Sequence, residues 1–268
     1  MKSKLVFLAA VLFCFGALAD DATNVAHKIK IVLVGDSTMN DGGGWGYGFK
    51  QFVTPDVEVV NAAMNGRSTM SFKNEGRWTN ALALKGDYYF VQFGHNNQPG
   101  KPGRSTDMPT FIADMKQYVD EAKAIGAKPV LVTPLSRRQW DKANPGKIKS
   151  SLVPYAEAVR KIAAEKNVPL IELHDRSLEY YEKVGRAEVE KFSPIKTVDG
   201  TNSIDGSHLA GNGRVLMARL VVEELRKAVP ELALHLLAEP NPAAVKVLKE
   251  KPAEVLEKDE SKNTKKLK

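Results

Sequence analysis

Short apolar runs, each closed by a polar or glycine-rich stretch, recur through the middle of the chain. Five of them predict strands, at residues 29–34, 57–61, 88–93, 129–132 and 169–173. Several are apolar almost without interruption rather than alternating, as expected of strands buried on both faces of a parallel sheet. Between them, apolar residues recur at helical spacing. Phe111, Met115, Tyr118, Val119, Ala122 and Ile125 form one stripe, with Pro109 suited to its first turn and Gly126 closing it. Tyr155, Ala158, Val159 and Ile162 form a second, and Leu216, Met217, Leu220, Val221 and Leu225 a third. This alternation predicts an α/β fold, a doubly wound three-layer αβα sandwich around a parallel five-stranded sheet. Ser37, Gly66, Asn96, Arg137 and Arg138 all follow the C-terminal ends of predicted strands. In a parallel sheet those ends share one edge, where ligands bind.

The two ends of the chain break the pattern. Residues 1–19 carry Lys2 and Lys4, then an apolar run, then Ala17-Leu18-Ala19. This reads as a secretory signal peptide, and its apolar run is shorter than the ~20 residues a membrane span needs. Residues 20–27 are a lead into one domain over 28–236. Residues 237–268 are lysine-rich and lack aromatics, which predicts disorder apart from one short helix within 243–256. The single cysteine, Cys14, lies in the leader, so neither disulfides nor cysteine-bound metal hold the mature protein together. The address implied is secreted or periplasmic. The formal net charge of +7 includes two leader lysines. No stripe of arginines interleaved with aromatics accompanies it, which argues against nucleic acid and leaves acidic glycans or simple solubility.

A serine nucleophile needs a base within hydrogen-bond reach. His27 and His235 lie near the domain boundaries, and His95 follows a strand. His174-Asp175 is a rival pair, although adjacent residues rarely point their side chains at each other. Asp205-Gly206-Ser207-His208 is favoured, because a loop turning into a helix can fold the carboxylate under the ring. An oxyanion would be met by the Ser37 N–H, the Gly66 N–H and the Asn96 amide. The stretch Gly42-Gly43-Gly44-Trp45-Gly46-Tyr47-Gly48 lacks the endings of a P-loop and the spacing of a dinucleotide fingerprint, and reads as a mobile wall of the site. No His/Asp/Glu cluster has ligand spacing, so neither metal nor cofactor is expected.

Gly35-Asp36-Ser37, Gly66, Gly94-His95-Asn96 and Asp205-x-x-His208 resemble, in order, the four blocks of the SGNH (GDSL) hydrolases. Residues 35–39, Gly44-Trp45-Gly46, Asn65-Gly66-Arg67-Ser68, Gln92-Phe93-Gly94-His95-Asn96, and Thr133-Pro134 with Arg137-Arg138 are similar to the rhamnogalacturonan acetylesterase branch. The resemblance covers roughly residues 30–229. It implies a flavodoxin-like sandwich with Ser37 as nucleophile, His208 as base and Asp205 as its orienting acid, and Ser37, Gly66 and Asn96 as oxyanion donors. It further implies a secreted carbohydrate esterase acting on an acetylated cell-wall polysaccharide or oligosaccharide, pectic in kind. Trp45, Arg67, Arg137 and Arg138, with Trp78 and Trp140, are expected to contact sugar faces and uronic acids. Asn97 departs from the family's frequent aspartate, removing a charge beside the site. A lipase or thioesterase of the same superfamily would favour a long apolar lid, and none is visible. A non-catalytic glycan binder on this fold would be marked by a lost triad member, and none is lost.

Overall fold

Where the apolar runs are rich in valine, isoleucine and aromatics they form strands, in a computed structural model that describes residues 28–246. The signal peptide expected at 1–19, the lead expected at 20–27 and the chain beyond 246 lie outside the described residues. The strands are β1 (Ile29–Gly35), β2 (Val57–Asn61), β3 (Tyr88–Gln92), β4 (Lys128–Val132) and β5 (Leu170–Ile171). They pair in parallel in the order β2-β1-β3-β4-β5, the flavodoxin-like arrangement. Gly35 stands in register with Gln92, so the loops leaving β1 and β3 start side by side. The strand order reverses beside β1, and the connections to either side diverge there and open a crevice.

The helices are α1 (Gly46–Phe49), α2 (Thr69–Asn74), α3 (Arg77–Leu82), α4 (Met108–Ala124), α5 (Val153–Lys166), α6 (Leu173–Val184), α7 (Arg186–Glu190), α8 (Gly213–Ala228) and α9 (Ala243–Lys246). Asp107 caps α4 by accepting from the Thr110 N–H, and Asn167 ends α5 in the left-handed conformation. Along β1, Ile31 and Leu33 point into a core shared with α1, α6 and α8, whereas Val32 and Val34 point into a second core with α2 to α5. The sheet therefore buries both faces. That explains the uninterrupted apolar runs.

Three elements differ from the expectation. Only Leu170 and Ile171 pair in β5, because Glu172 caps the next helix by accepting from the Asp175 N–H, and α6 begins at Leu173. Residues 195–204 form a hairpin, β6 (Ile195–Val198) and β7 (Thr201–Ile204). Its turn is Asp199-Gly200, both at positive φ (49° and 74°), as a two-residue hairpin turn demands. The chain also stays on the domain past residue 236. The Leu237 N–H donates to the Phe52 carbonyl and the Asn241 N–H to Gln51, each at 2.7 Å. The predicted helix within 243–256 is described only as far as Lys246, as α9.

Candidate active site

Ser37 lies two residues past the end of β1, in a turn that its neighbours fix. A Cβ on Gly35 would meet the Gln92 carbonyl at 2.6 Å, so only glycine lets the chain leave the sheet there. Asp36 is fully buried and its Oδ1 accepts from the Thr38 N–H (2.9 Å) and hydroxyl (2.8 Å). Thr38 accepts in turn from Gln92 Nε2, whose Oε1 accepts from the Trp45 indole N–H at 2.8 Å. Burial pushes the Asp36 carboxyl up, but His95 and the two Thr38 donors outweigh it and hold it below the ordinary carboxylate range. Burial pulls the neighbouring His95 below the usual histidine range, against the attraction of Asp36.

His208 Nε2 lies 2.7 Å from Ser37 Oγ, and His208 Nδ1 lies 2.7 Å from Asp205 Oδ2. Asp205 Oδ1 accepts from the Ser207 and His208 N–H groups at 2.8 and 3.1 Å. Lys196, on β6, pairs with Oδ2 at 2.7 Å. Burial pushes Asp205 up, but Lys196, His208 and the two N–H donors overcome it and hold the carboxyl far below its usual range. An ionised Asp205 can only accept, so Nδ1 carries the imidazole proton. Nε2 is thereby left to accept from the Ser37 hydroxyl. The arrangement can raise the nucleophilicity of Ser37 and store its proton.

The other strand ends meet this pair. The Met64 N–H donates to the Gly35 carbonyl (2.9 Å), tying the loop after β2 to β1, and Asn96 Nδ2 donates to the Arg67 carbonyl (3.1 Å). Gly66 has φ +74°, a conformation glycine adopts without strain. Among the described residues neither the Ser37 nor the Gly66 N–H has an intramolecular acceptor. Asn96 keeps one amide proton beyond the one Arg67 accepts. The glycine-rich stretch is a wall at Gly43, where a Cβ would meet the His208 ring at 3.1 Å, and the Gly43 carbonyl accepts from Leu209. Gly44 and Gly46 are packed so closely that a Cβ would meet backbone at 2.3 Å.

Several expected substrate contacts lie elsewhere. Trp45 is fully buried in the core and offers no face to a sugar. Trp78 is buried beneath α4 with its N–H on Glu121, and Trp140 packs against the core of α6 and α8. Arg138 is buried too. It donates to Ser193 Oγ and to the Asp205 and His208 carbonyls, so it fastens the loop that carries the acid and base. Arg67 is already paired with Glu75 at 2.9 Å. Arg137 alone of the named arginines remains at the rim without an acidic partner among the described residues. His174 and Asp175 do contact each other, at 2.6 Å, contrary to the expectation for adjacent residues. The pair opens α6, and His174 Nε2 lies against Ser150 rather than Ser37. Asn97 does not face the site either. Its Nδ2 donates to Thr69 and Thr106 at 2.8 and 3.0 Å.

Lys101, Arg104 and Lys196 border the site and went unrecognised in the sequence. Lys196 had a signal, because Asp199-Gly200 between alternating residues marks a hairpin that ends at Ile204, next to Asp205. Lys101 and Arg104 had none, since they sit in a loop whose path no periodicity fixes. Among the described residues no His/Cys/Asp/Glu group could hold a metal ion, and no helix is long and apolar enough to cross a membrane.

Residues 33–186 match the GDSL-like lipase/acylhydrolase family. The chain is similar to the rhamnogalacturonan acetylesterase RhgT of Bacillus subtilis, 35% identical over 78% of this chain and 95% of that protein. It is 34% identical to YesY of the same organism, a probable rhamnogalacturonan acetylesterase, over 77% of this chain and 94% of that one. Among solved structures, YxiM of Bacillus subtilis superposes with a TM-score of 0.63 at 26% identity, over 75% of this chain and 56% of that one. Sheet order, the placement of the serine after β1 and these likenesses agree: the chain belongs to the GDSL-like lipase/acylhydrolase family and is a serine esterase.

Proposed function

We propose that the protein is a secreted carbohydrate acetylesterase that removes O-acetyl groups from a pectic polysaccharide through an acyl-enzyme on Ser37. The observation that carries this reading is the unbroken chain from Ser37 Oγ through His208 to Asp205, with 2.7 Å at each step. In the reaction Ser37 Oγ attacks the acetyl carbonyl while His208 Nε2 takes its proton. The N–H groups of Ser37 and Gly66 and the spare Asn96 amide proton stabilise the oxyanion. His208 then protonates the departing sugar oxygen, and the acetyl group is left on Ser37. Water attacks next, His208 accepts its proton, and acetate leaves with Ser37 restored. Asp205 stays ionised throughout and stabilises the imidazolium. The names of the curated relatives support a pectic substrate, and the pattern of residues 1–19 supports secretion.

The test is acetate release from acetylated rhamnogalacturonan, homogalacturonan, xylan and mannan by wild type and Ser37→Ala. Preferential release from a pectic substrate, abolished by the substitution, is expected. Undiminished release by Ser37→Ala would sink the assignment.

A further inference from the structure

Three cations border the reacting groups without a carboxylate partner among the described residues. Lys101 Nζ donates to the His95 carbonyl and lies 3.4 Å from Asn96 Oδ1. Arg137 donates to that same carbonyl through Nη2 at 3.2 Å, and through Nε to Ser207 Oγ at 3.2 Å. Arg104 Nη1 donates to the Gly66 carbonyl at 3.2 Å. Each therefore touches a residue that supplies an oxyanion donor or adjoins one, or adjoins the base. Neighbouring cations differ: Arg67 has Glu75, Lys73 has Asp114 and Lys196 has Asp205.

Like charges gathered in this way oppose one another. Burial and the charges of Arg137 and Arg104 pull Lys101 below the usual lysine range, while the fully buried Asp36 offsets part of that from beneath. Arg137 also gives Nη1 to Gln98 Oε1 and Ser151 Oγ, so it contributes chiefly charge, whereas Lys101 and Arg104 keep donors to spare, since an ammonium has three and a guanidinium five. The remaining donors and the uncompensated charge favour an anion arriving from the crevice, and a guanidinium fork matches a carboxylate.

We propose that Lys101, Arg104 and Arg137 form a carboxylate-binding subsite that holds a hexuronate of the substrate beside the acetyl group attacked by Ser37. This rests on the esterase reading and adds how the charged polysaccharide is told from a neutral one. A neutral sugar leaves the three cations unmet, so selectivity comes from the carboxylate rather than from the acetyl group.

The test compares acetate release from an acetylated galacturonan oligosaccharide with free carboxyls and from the same oligosaccharide methyl-esterified. Wild type, Arg104→Met, Lys101→Met and Arg104→Lys are assayed at low and high salt. In wild type, kcat/KM is expected to favour the free acid by about tenfold or more, chiefly through KM, and salt should shrink that preference. The Met variants should bring the ratio towards one, and Arg104→Lys should restore part of it. Equal wild-type rates on the two forms, or Met variants that keep the ratio, would overturn the subsite while leaving the esterase intact. The wild-type comparison decides even where a variant fails to fold. No release from either form, with no turnover of p-nitrophenyl acetate, would overturn the esterase reading and the subsite with it.

Discussion

Asn97 shows how one atom of difference can be read. Thr69 donates its hydroxyl proton to Asp114 at 2.6 Å and accepts from Asn97 Nδ2 at 2.8 Å. An aspartate at 97 has no proton to give and would bring a carboxylate towards Asp114. Asn97→Asp is therefore expected to destabilise the protein by about 1–3 kcal/mol, measured by urea unfolding, through a buried acceptor facing an acceptor. An unchanged midpoint would contradict that hydrogen-bond chain. Asn96, next to it, has a different task. Asn96→Ala is expected to cost ~10²–10³ in kcat, with a modest loss of stability from the freed Arg67 carbonyl, by steady-state kinetics beside thermal melting. Ser37 and His208 were legible in the sequence because a strand end and a loop spacing constrain where they can go. Trp45 was not legible as a core residue. Its motif position says it is near the site, but only the Gln92 acceptor and the packing around it decide which way the indole points.

At the scale of elements, the loop from Asp205 to His208 is held from two sides. Arg138 binds its carbonyls from below, and the β6–β7 hairpin supplies Lys196 from the other side. Asp205 is held low in the folded state, so its contribution to stability is complete above the unfolded value of about 3.9 and is lost as pH falls through the folded value. Lys196→Met removes one of the groups that hold it low. The melting temperature of the variant should then trail wild type at pH 7, with the gap narrowing as pH falls below the ordinary carboxylate range. The gap should be modest and salt-sensitive, since the Lys196 side chain is 54% exposed. A gap that does not change with pH would contradict the pairing. α4, α5 and α8 were readable from their apolar stripes, whereas the twelve-residue α6 was not. β5, with two paired residues, and the one-turn helices are too short for periodicity to register.

The whole molecule depends on a sheet that buries both faces and on a C-terminal segment that closes one of them. Leu232 and Leu236 lie in the core with α1 and α8, and the segment after them pairs with Gln51 and Phe52. A chain ending at Val229 should be about 3–6 kcal/mol less stable than one ending at Lys246, from the loss of two buried leucines. Equal urea midpoints for the two truncations would contradict that packing. A parallel, doubly wound sheet was legible from the alternation of strands and helices, while its flavodoxin-like order was implied only by the resemblance. The seating of this segment was not, since its contacts join residues nearly two hundred positions apart, beyond any local pattern. The same topology brings the ends of β1, β2 and β3 together around one serine. Labelling with a fluorophosphonate, followed by peptide mass mapping and an acetate-release assay, tests that convergence directly. One adduct on the Ser37 peptide, with activity lost in proportion and no adduct in Ser37→Ala, is expected. An unlabelled Ser37 in active protein, or labelling elsewhere that abolishes activity, would contradict it.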